Sequence, residues 1–125
     1  DERYIGEQVR MVKSIVGITP LLRDYFDGDL GAVGAIKTAQ PGAEFSQRAW
    51  KAMRTVRAGR TISYAQLAQK AGSPRAVRAA GTACAKNAIP IVVPCHRILA
   101  SNGGIGGYAY GTRAKEWLLR HEGAL

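Results

Sequence analysis

Cysteine, histidine and arginine stand in a row at Pro94-Cys95-His96-Arg97, closing the apolar run Ile89-Pro90-Ile91-Val92-Val93-Pro94. Only the thiolate of a cysteine is a good nucleophile, and a free thiol with a pKa near ~8.5 needs a cation, a helix dipole or a base relay to reach that form. The neighbours offer such help. His96 can act as general base, Arg97 places a cation nearby, and a carboxylate, Glu116 or Glu122, can orient the imidazole. The apolar run would hold the backbone and exclude water. A cysteine behind a hydrophobic run can equally be an inert core residue, and Cys84, within an alanine-rich stretch, reads that way. No C-x2-4-C or H-x3-5-H pair accompanies Cys84, Cys95, His96 and His121, so neither a metal nor a cofactor is expected.

These residues need elements to position them. Phe45, Ala49, Met53 and Val56, with Trp50 beside them, recur at helical spacing while Arg48, Lys51 and Arg54 take the other face, so an amphipathic helix is expected up to Ala58-Gly59-Arg60. Thr61-Ile62 is a short extended piece, and Ser63-Tyr64-Ala65-Gln66 fits a capping box opening a helix from Tyr64 through Lys70. Gly72 suits a left-handed helix end. Ser73-Pro74 supplies an N-cap and first-turn proline for a further helix, Pro74 to about Lys86. Helix, glycine turn, helix is the helix-turn-helix pattern. The second of these helices is rich in Ala and Gly, with Arg75 and Arg78 among them, so it should approach a duplex closely and read backbone or shape more than sequence. The alternative is an alanine helix packed in a core.

After it, the Ile89–Pro94 run is expected to be a strand or extended, Ser101-Asn102-Gly103-Gly104 a turn, and residues 105–111 a flexible loop. Thr112 would cap a last helix with Ala114, Trp117, Leu118 and His121 on one face, and Gly123 marks its end. Upstream, Gly6 to Val16 can be helical, and Thr19-Pro20 opens a short helix through Phe26. The fold class is thus mainly α with short β: a winged-helix-like helix-turn-helix domain over 43–125 carrying the cysteine, preceded by a short helical lead-in over 1–42.

Charge narrows the partners. The 125 residues hold 18 Lys and Arg against 9 Asp and Glu, a net +9, and from Phe45 to Lys115 there are 12 basic residues and no acid. Such a segment creates a positive field that can neutralise phosphates, although a merely solvated basic surface gives the same composition. No apolar stretch approaches the ~18 residues of a membrane span, and no signal peptide pattern opens the chain. A reduced, intracellular, cytoplasmic setting fits a free reactive cysteine, with nuclear location in a eukaryote.

Over roughly 43–125 the sequence resembles the C-terminal domain of the O6-alkylguanine-DNA alkyltransferases. Ile91-Val92-Val93-Pro94-Cys95-His96-Arg97-Ile98 is similar to that family's active-site signature. Lys115-Glu116-Trp117-Leu118-Leu119 and His121-Glu122-Gly123 are similar to its last helix, and Ser63-Tyr64 with Arg75-Ala76-Val77-Arg78-Ala79 to its helix-turn-helix. The resemblance implies that Cys95 accepts the alkyl group, His96 deprotonates it through a water, and Glu122 polarises His96. It implies that Asn87 holds the active-site turn, and that Tyr108 donates toward the guanine O6. Backbone groups near Cys95 and Ile98 would read the guanine edge. Ser63, Tyr64, Arg75, Arg78 and Ala79 would meet DNA, with Arg78 filling the space of an extruded nucleotide and Tyr64 crowding the phosphate on its 3′ side.

The implied partner is double-stranded DNA containing O6-alkylguanine, bound largely without sequence preference by a monomer that is consumed in one turnover. Two departures stand out: residues 1–42 resemble only the end of the family's longer N-terminal domain, of which they could be a remnant, and Tyr110 stands where some relatives have glycine. A ring there is expected to narrow the pocket and favour methyl over benzyl groups. Rival readings are a damage-recognition protein that binds lesions without transfer, a helix-turn-helix regulator with a structural Cys95, and the carboxyl half of a larger repair protein that also controls transcription.

Overall fold

The computed structural model describes residues 19–125, so the helix expected over Gly6 to Val16 lies outside the described residues. Helix α1, Thr19–Phe26, turns Leu22 and Tyr25 wholly into the core. A 3-10 turn at Ala32–Ala35 follows, and the chain then runs without regular structure to α2, Glu44–Met53. This helix is amphipathic as expected, burying Ala49, Trp50, Ala52 and Met53 while Arg48 and Lys51 face solvent. It ends before Val56, because Thr55 and Val56 tighten into turn bonds on the Ala52 and Met53 carbonyls, at 3.0 and 3.1 Å. The indole N–H of Trp50 donates to the Ala83 carbonyl at 2.9 Å, so the ring is buried without leaving a polar atom unpaired.

Strand β1, Ile62–Ser63, pairs in parallel with β2, Ile98–Leu99, in the register Ile62 to Ile98 and Ser63 to Leu99. It leads directly into α3, Tyr64–Lys70, through the capping box: Ser63 Oγ accepts from Gln66 N at 3.1 Å, and Ser63 N donates to Gln66 Oε1 at 2.8 Å. At the other end Gly72 takes φ +90°, and the N–H groups of Gly72 and Ser73 reach back to the Gln69 and Ala68 carbonyls. That crossed pair of bonds closes the helix and aims the chain at the next one.

The next helix, α4, spans Val77–Lys86 rather than starting at Pro74. Residues Ser73 to Ala76 form a tight turn instead, with Ala76 N donating to Ser73 O at 2.9 Å. The fixed φ of proline serves the second position of a β-turn as well as the first position of a helix, and here the turn wins. Ser73 therefore caps nothing, and Ala76 stands at the N-cap without a side-chain bond. Helices α3 and α4, both packed on α2, form the helix-turn-helix. The fold is thus mainly α with one very small sheet.

The run Ile89–Pro94 is buried but is neither strand nor extended. Its bonds are local, Val92 N to Pro90 O, Val93 N to Ile89 O and Cys95 N to Val93 O, and Ile91 adopts φ +73°. Pro90 and Pro94 lack the N–H a ladder needs, so the segment coils on itself. A non-glycine residue with positive φ is strained, held here by a side chain 3% exposed. A 3-10 turn, Cys95–Arg97, connects this coil to β2. Last, α5 spans Thr112–His121, and its N-cap is Gly111 at φ +98° rather than Thr112, which is already the first helical residue. Its inward face is Ala114, Lys115, Leu118 and Leu119, while Trp117 and His121, expected there, stack on each other at 4.9 Å along the margin beside Phe26.

Candidate active site

Cys95 heads the 3-10 turn with 2% of its surface exposed. Burial pushes its thiol above the ordinary range, against hydrogen bonds from Asn87 and Tyr108 and the charge of Lys115, which favour the thiolate. At rest the group is therefore a protonated thiol, and its use as a nucleophile requires a base. It opens into a cavity of about 170 Å³, whose walls include Tyr64 from α3, Gly81 and Cys84 from α4, and Gly107 and Tyr108 from the loop before α5. A second hollow of about 310 Å³, between Val33, Arg54, Val56 and Arg97, does not include Cys95.

His96 is completely buried, and its Nε2 lies 2.9 Å from Glu122 Oε2. A carboxylate can only accept, so Nε2 carries the proton of the neutral ring and Nδ1 is left as the acceptor. Among the described residues, Nδ1 has no hydrogen-bond partner. Burial holds His96 below its ordinary pKa, against the pull of Glu122. The ring is thus a neutral base whose basic nitrogen is unoccupied by any described residue.

Glu122 reaches this position because it is the residue after α5, where Gly123 at φ +79° ends the helix. Its carboxylate accepts from Arg97 Nε at 2.9 Å, from the terminal Arg97 nitrogen at 2.7 Å, from His96, and from the Tyr25 hydroxyl at 2.7 Å. Burial alone would raise its pKa, but the hydrogen bonds from Arg97 and His96 hold it down at about 2. Arg97, noted in the sequence as a cation beside the thiol, has its guanidinium on Glu122 and on the Val56 carbonyl at 2.7 Å. Its service to Cys95 is indirect, through the carboxylate.

Asn87 closes α4 and binds the coil: Nδ2 donates to Val93 O at 2.8 Å and to Cys95 Sγ at 3.2 Å, while Oδ1 accepts from Ile89 N at 3.1 Å. Burial pushes the Tyr108 hydroxyl well above its ordinary pKa, and that hydroxyl hydrogen-bonds with Cys95. Tyr110, expected to narrow the pocket, stands against the lining residue Tyr108. It lies outside the lining, its ring edge-on to Tyr108 at 5.5 Å and its hydroxyl donating to the Asn87 carbonyl at 2.8 Å.

The helix-turn-helix presents a basic front. Arg75, Arg78 and Ala79 are exposed, and Val77 beside them is 39% exposed. Tyr64 is half-buried between this front and the cavity, and Ser63 is occupied as the cap of α3. Two of the 12 basic residues counted between Phe45 and Lys115 belong to the interior instead: Arg97, and Lys115, whose Nζ donates to the carbonyls of Ile98 at 2.6 Å and Gly107 at 3.2 Å. Tyr25, Gln40 and Lys115 contribute to the site and were not singled out from sequence. The buried face of α5 was the one available signal, for Lys115, since it shares that face with Ala114 and Leu118.

A buried thiol beside a histidine-carboxylate pair, behind a helix-turn-helix with exposed arginines, is the arrangement of a protein with a nucleophilic cysteine and a basic docking face. The chain belongs to the 6-O-methylguanine DNA methyltransferase family, whose DNA binding domain matches residues 44–124. It is 48% identical over 109 residues to the methylated-DNA--protein-cysteine methyltransferase of Shigella flexneri, a match covering 87% of this chain and 64% of that protein. Among solved structures, Mycobacterium tuberculosis OGT in complex with DNA is similar, with a TM-score of 0.69 and 37% identity over 82% of this chain and 63% of that one. The O6-methylguanine-DNA methyltransferase of Pyrococcus kodakaraensis gives a TM-score of 0.62 at 26% identity, over 98% of this chain and 81% of that one. The chain thus spans a little under two thirds of the Shigella relative's length.

Proposed function

We propose that this protein repairs DNA by moving an alkyl group from the O6 of a flipped-out guanine to Cys95. The observation that carries the reading is the buried thiol at the wall of a cavity of about 170 Å³, next to a neutral imidazole whose Nδ1 has no hydrogen-bond partner among the described residues. The thiol proton passes through a water to His96 Nδ1, and Glu122, fixed by Arg97 and Tyr25, stabilises the imidazolium that forms. The sulfur attacks the O-bound carbon, so a C–S bond forms as the C–O6 bond breaks. Tyr108 hydrogen-bonds the departing oxygen, which recovers a proton as the base returns to guanine. The thioether product is a poor leaving group, so each molecule acts once.

The exposed Arg75, Arg78 and Ala79 front supports docking on duplex DNA, largely through phosphates and therefore without strong sequence preference. A base must leave the stack to reach a thiol this deep. In this reading Arg78 enters the vacated space and Tyr64, at the cavity mouth, guides the rotated nucleotide. The protein acts as a monomer, without cofactor or metal, in a compartment that keeps Cys84 and Cys95 reduced.

A duplex carrying one radiolabelled O6-methylguanine tests this. One labelled methyl per molecule, mapped to Cys95 by peptide mass and absent in Cys95→Ala, is the expected result. Tight binding of the lesion with no transfer would favour damage recognition instead.

A further inference from the structure

Gln40 precedes the segment that matches the family's DNA binding domain, yet it touches the amide beside the nucleophile. Its own carbonyl is tied to α2, accepting from Gln47 Nε2 at 2.7 Å. Its side chain bridges two residues at the end of α4: Oε1 accepts from Ala88 N at 3.0 Å, and Nε2 donates to Asn87 Oδ1 at 2.9 Å. These bonds have a forced direction. A backbone N–H can only donate, so Ala88 fixes which end of the Gln40 amide faces it, and the other end must be the donor toward Asn87. Asn87 must then present its oxygen to Gln40, as it does to Ile89 N, and its N–H groups to Val93 O and Cys95 Sγ.

We propose that Gln40 is a positioning residue for Cys95: it locks Asn87 with an N–H on the sulfur, so that the thiolate, once formed, is held better than it would be with Asn87 free to turn. A hydrogen bond to a charged acceptor is roughly twice as strong as one to a neutral acceptor, so a fixed donor favours the ionised sulfur. The other polar groups around the sulfur come from different elements: Tyr64 of α3, Cys84 of α4, His96 beside it, Tyr108 and Tyr110 of the loop, and Lys115 of α5. A change at Gln40 leaves all of these side chains in the sequence. The inference rests on Cys95 being the reactive thiol of the proposed function, but its test needs no DNA.

Iodoacetamide alkylation of the full chain, followed by peptide mass so that Cys84 is counted separately, gives the rate at Cys95 from about pH 6 to about pH 11, and where the curve has not levelled the shift is read as the ratio of rates at one pH on its rising limb. Gln40→Glu keeps the acceptor for Ala88 and the side-chain size but cannot donate to Asn87, and Gln40→Ala removes both links. The midpoint of the profile should rise by about half a unit to one unit in Gln40→Ala, and at least as much in Gln40→Glu, slowing alkylation at neutral pH by roughly threefold to tenfold. Melting temperature is recorded alongside. An unmoved midpoint in Gln40→Ala overturns the proposal, whether the protein melts earlier, which makes Gln40 a structural clasp, or Gln40→Glu alone shifts, which reports only the added charge. Methyl transfer by the unaltered protein is assayed separately, so a shifted midpoint without transfer would count against the repair reading and not against the role of Gln40.

Discussion

His96 Nε2 lies 2.9 Å from Glu122 Oε2, and neither side chain exposes any surface to solvent. Both groups make the fold sensitive to acid, in the same direction. Glu122 sits at about 2 in the folded protein against an ordinary 4.5, so its contribution is present above about pH 4.5 and is lost as pH falls toward 2. His96 is also lowered, so the unfolded chain takes up its proton first and stability begins to fall as pH drops through the ordinary histidine range. Urea unfolding should show a loss on the order of 2 kcal/mol between neutral pH and pH ~3 from the Glu122 carboxyl alone. A flat profile over that interval would contradict the assignment.

Arg97 gives Glu122 two hydrogen bonds and is itself 6% exposed. Removing the cation in Arg97→Met leaves a buried carboxylate short of its partner, which costs about 3–5 kcal/mol. Denaturant unfolding of the double variant with Glu122→Gln should recover part of that loss, because the uncompensated charge is gone. Strict additivity would mean the two residues do not form the unit the distances indicate.

Tyr25 donates to the same carboxylate across the width of the fold. Tyr25→Phe keeps the ring in the core and deletes only the hydroxyl, so a loss of about 1.5–3 kcal/mol is expected, the range for a hydrogen bond to a charged group. Affinity for undamaged DNA should not change, since Tyr25 is fully buried and offers no surface to a duplex.

Arg75, in the turn before α4, and Arg78, in its first turn, are both exposed but have different parts in the proposed docking. Arg75→Ala should weaken binding to every duplex alike and reduce the slope of log affinity against log salt by about 0.9, one phosphate contact. Arg78→Ala should slow methyl transfer from duplex at least tenfold while sparing transfer from single-stranded substrate, where no stacked base must be displaced. Equal slowing on both substrates would remove Arg78 from the extrusion step.

Much of this site was legible because its parts are local. Ser63 and Gln66 announce their capping box in four residues, Gly72 announces a left-handed helix end, and Cys95, His96 and Arg97 are consecutive. The errors arose where one residue serves two local structures. Pro74 fits a β-turn as well as a first helical turn, and Thr112 can follow a cap as easily as be one. The run Ile89–Pro94 is apolar enough for a strand, yet its prolines and the positive φ at Ile91 make it a coil. The remaining gap is distance along the chain. Gln40 meets Asn87 47 positions on, and no periodicity in the sequence marks such a pair. Lys115 counted as surface charge until its two carbonyl partners placed it inside.

The Tyr25 to Glu122 contact joins residues 97 positions apart, one in the first described helix and one just past the last. During synthesis the chain emerges from its N-terminus, and contacts of long sequence separation close late because their loop entropy must be overcome first. Cys95 therefore leaves the ribosome before the carboxylate that completes its relay exists. A chain whose last described helix has not docked carries Cys95 and His96 without the carboxylate that orients the imidazole, so the proposed transfer depends on closure of the whole described fold and not on the Cys95 segment alone.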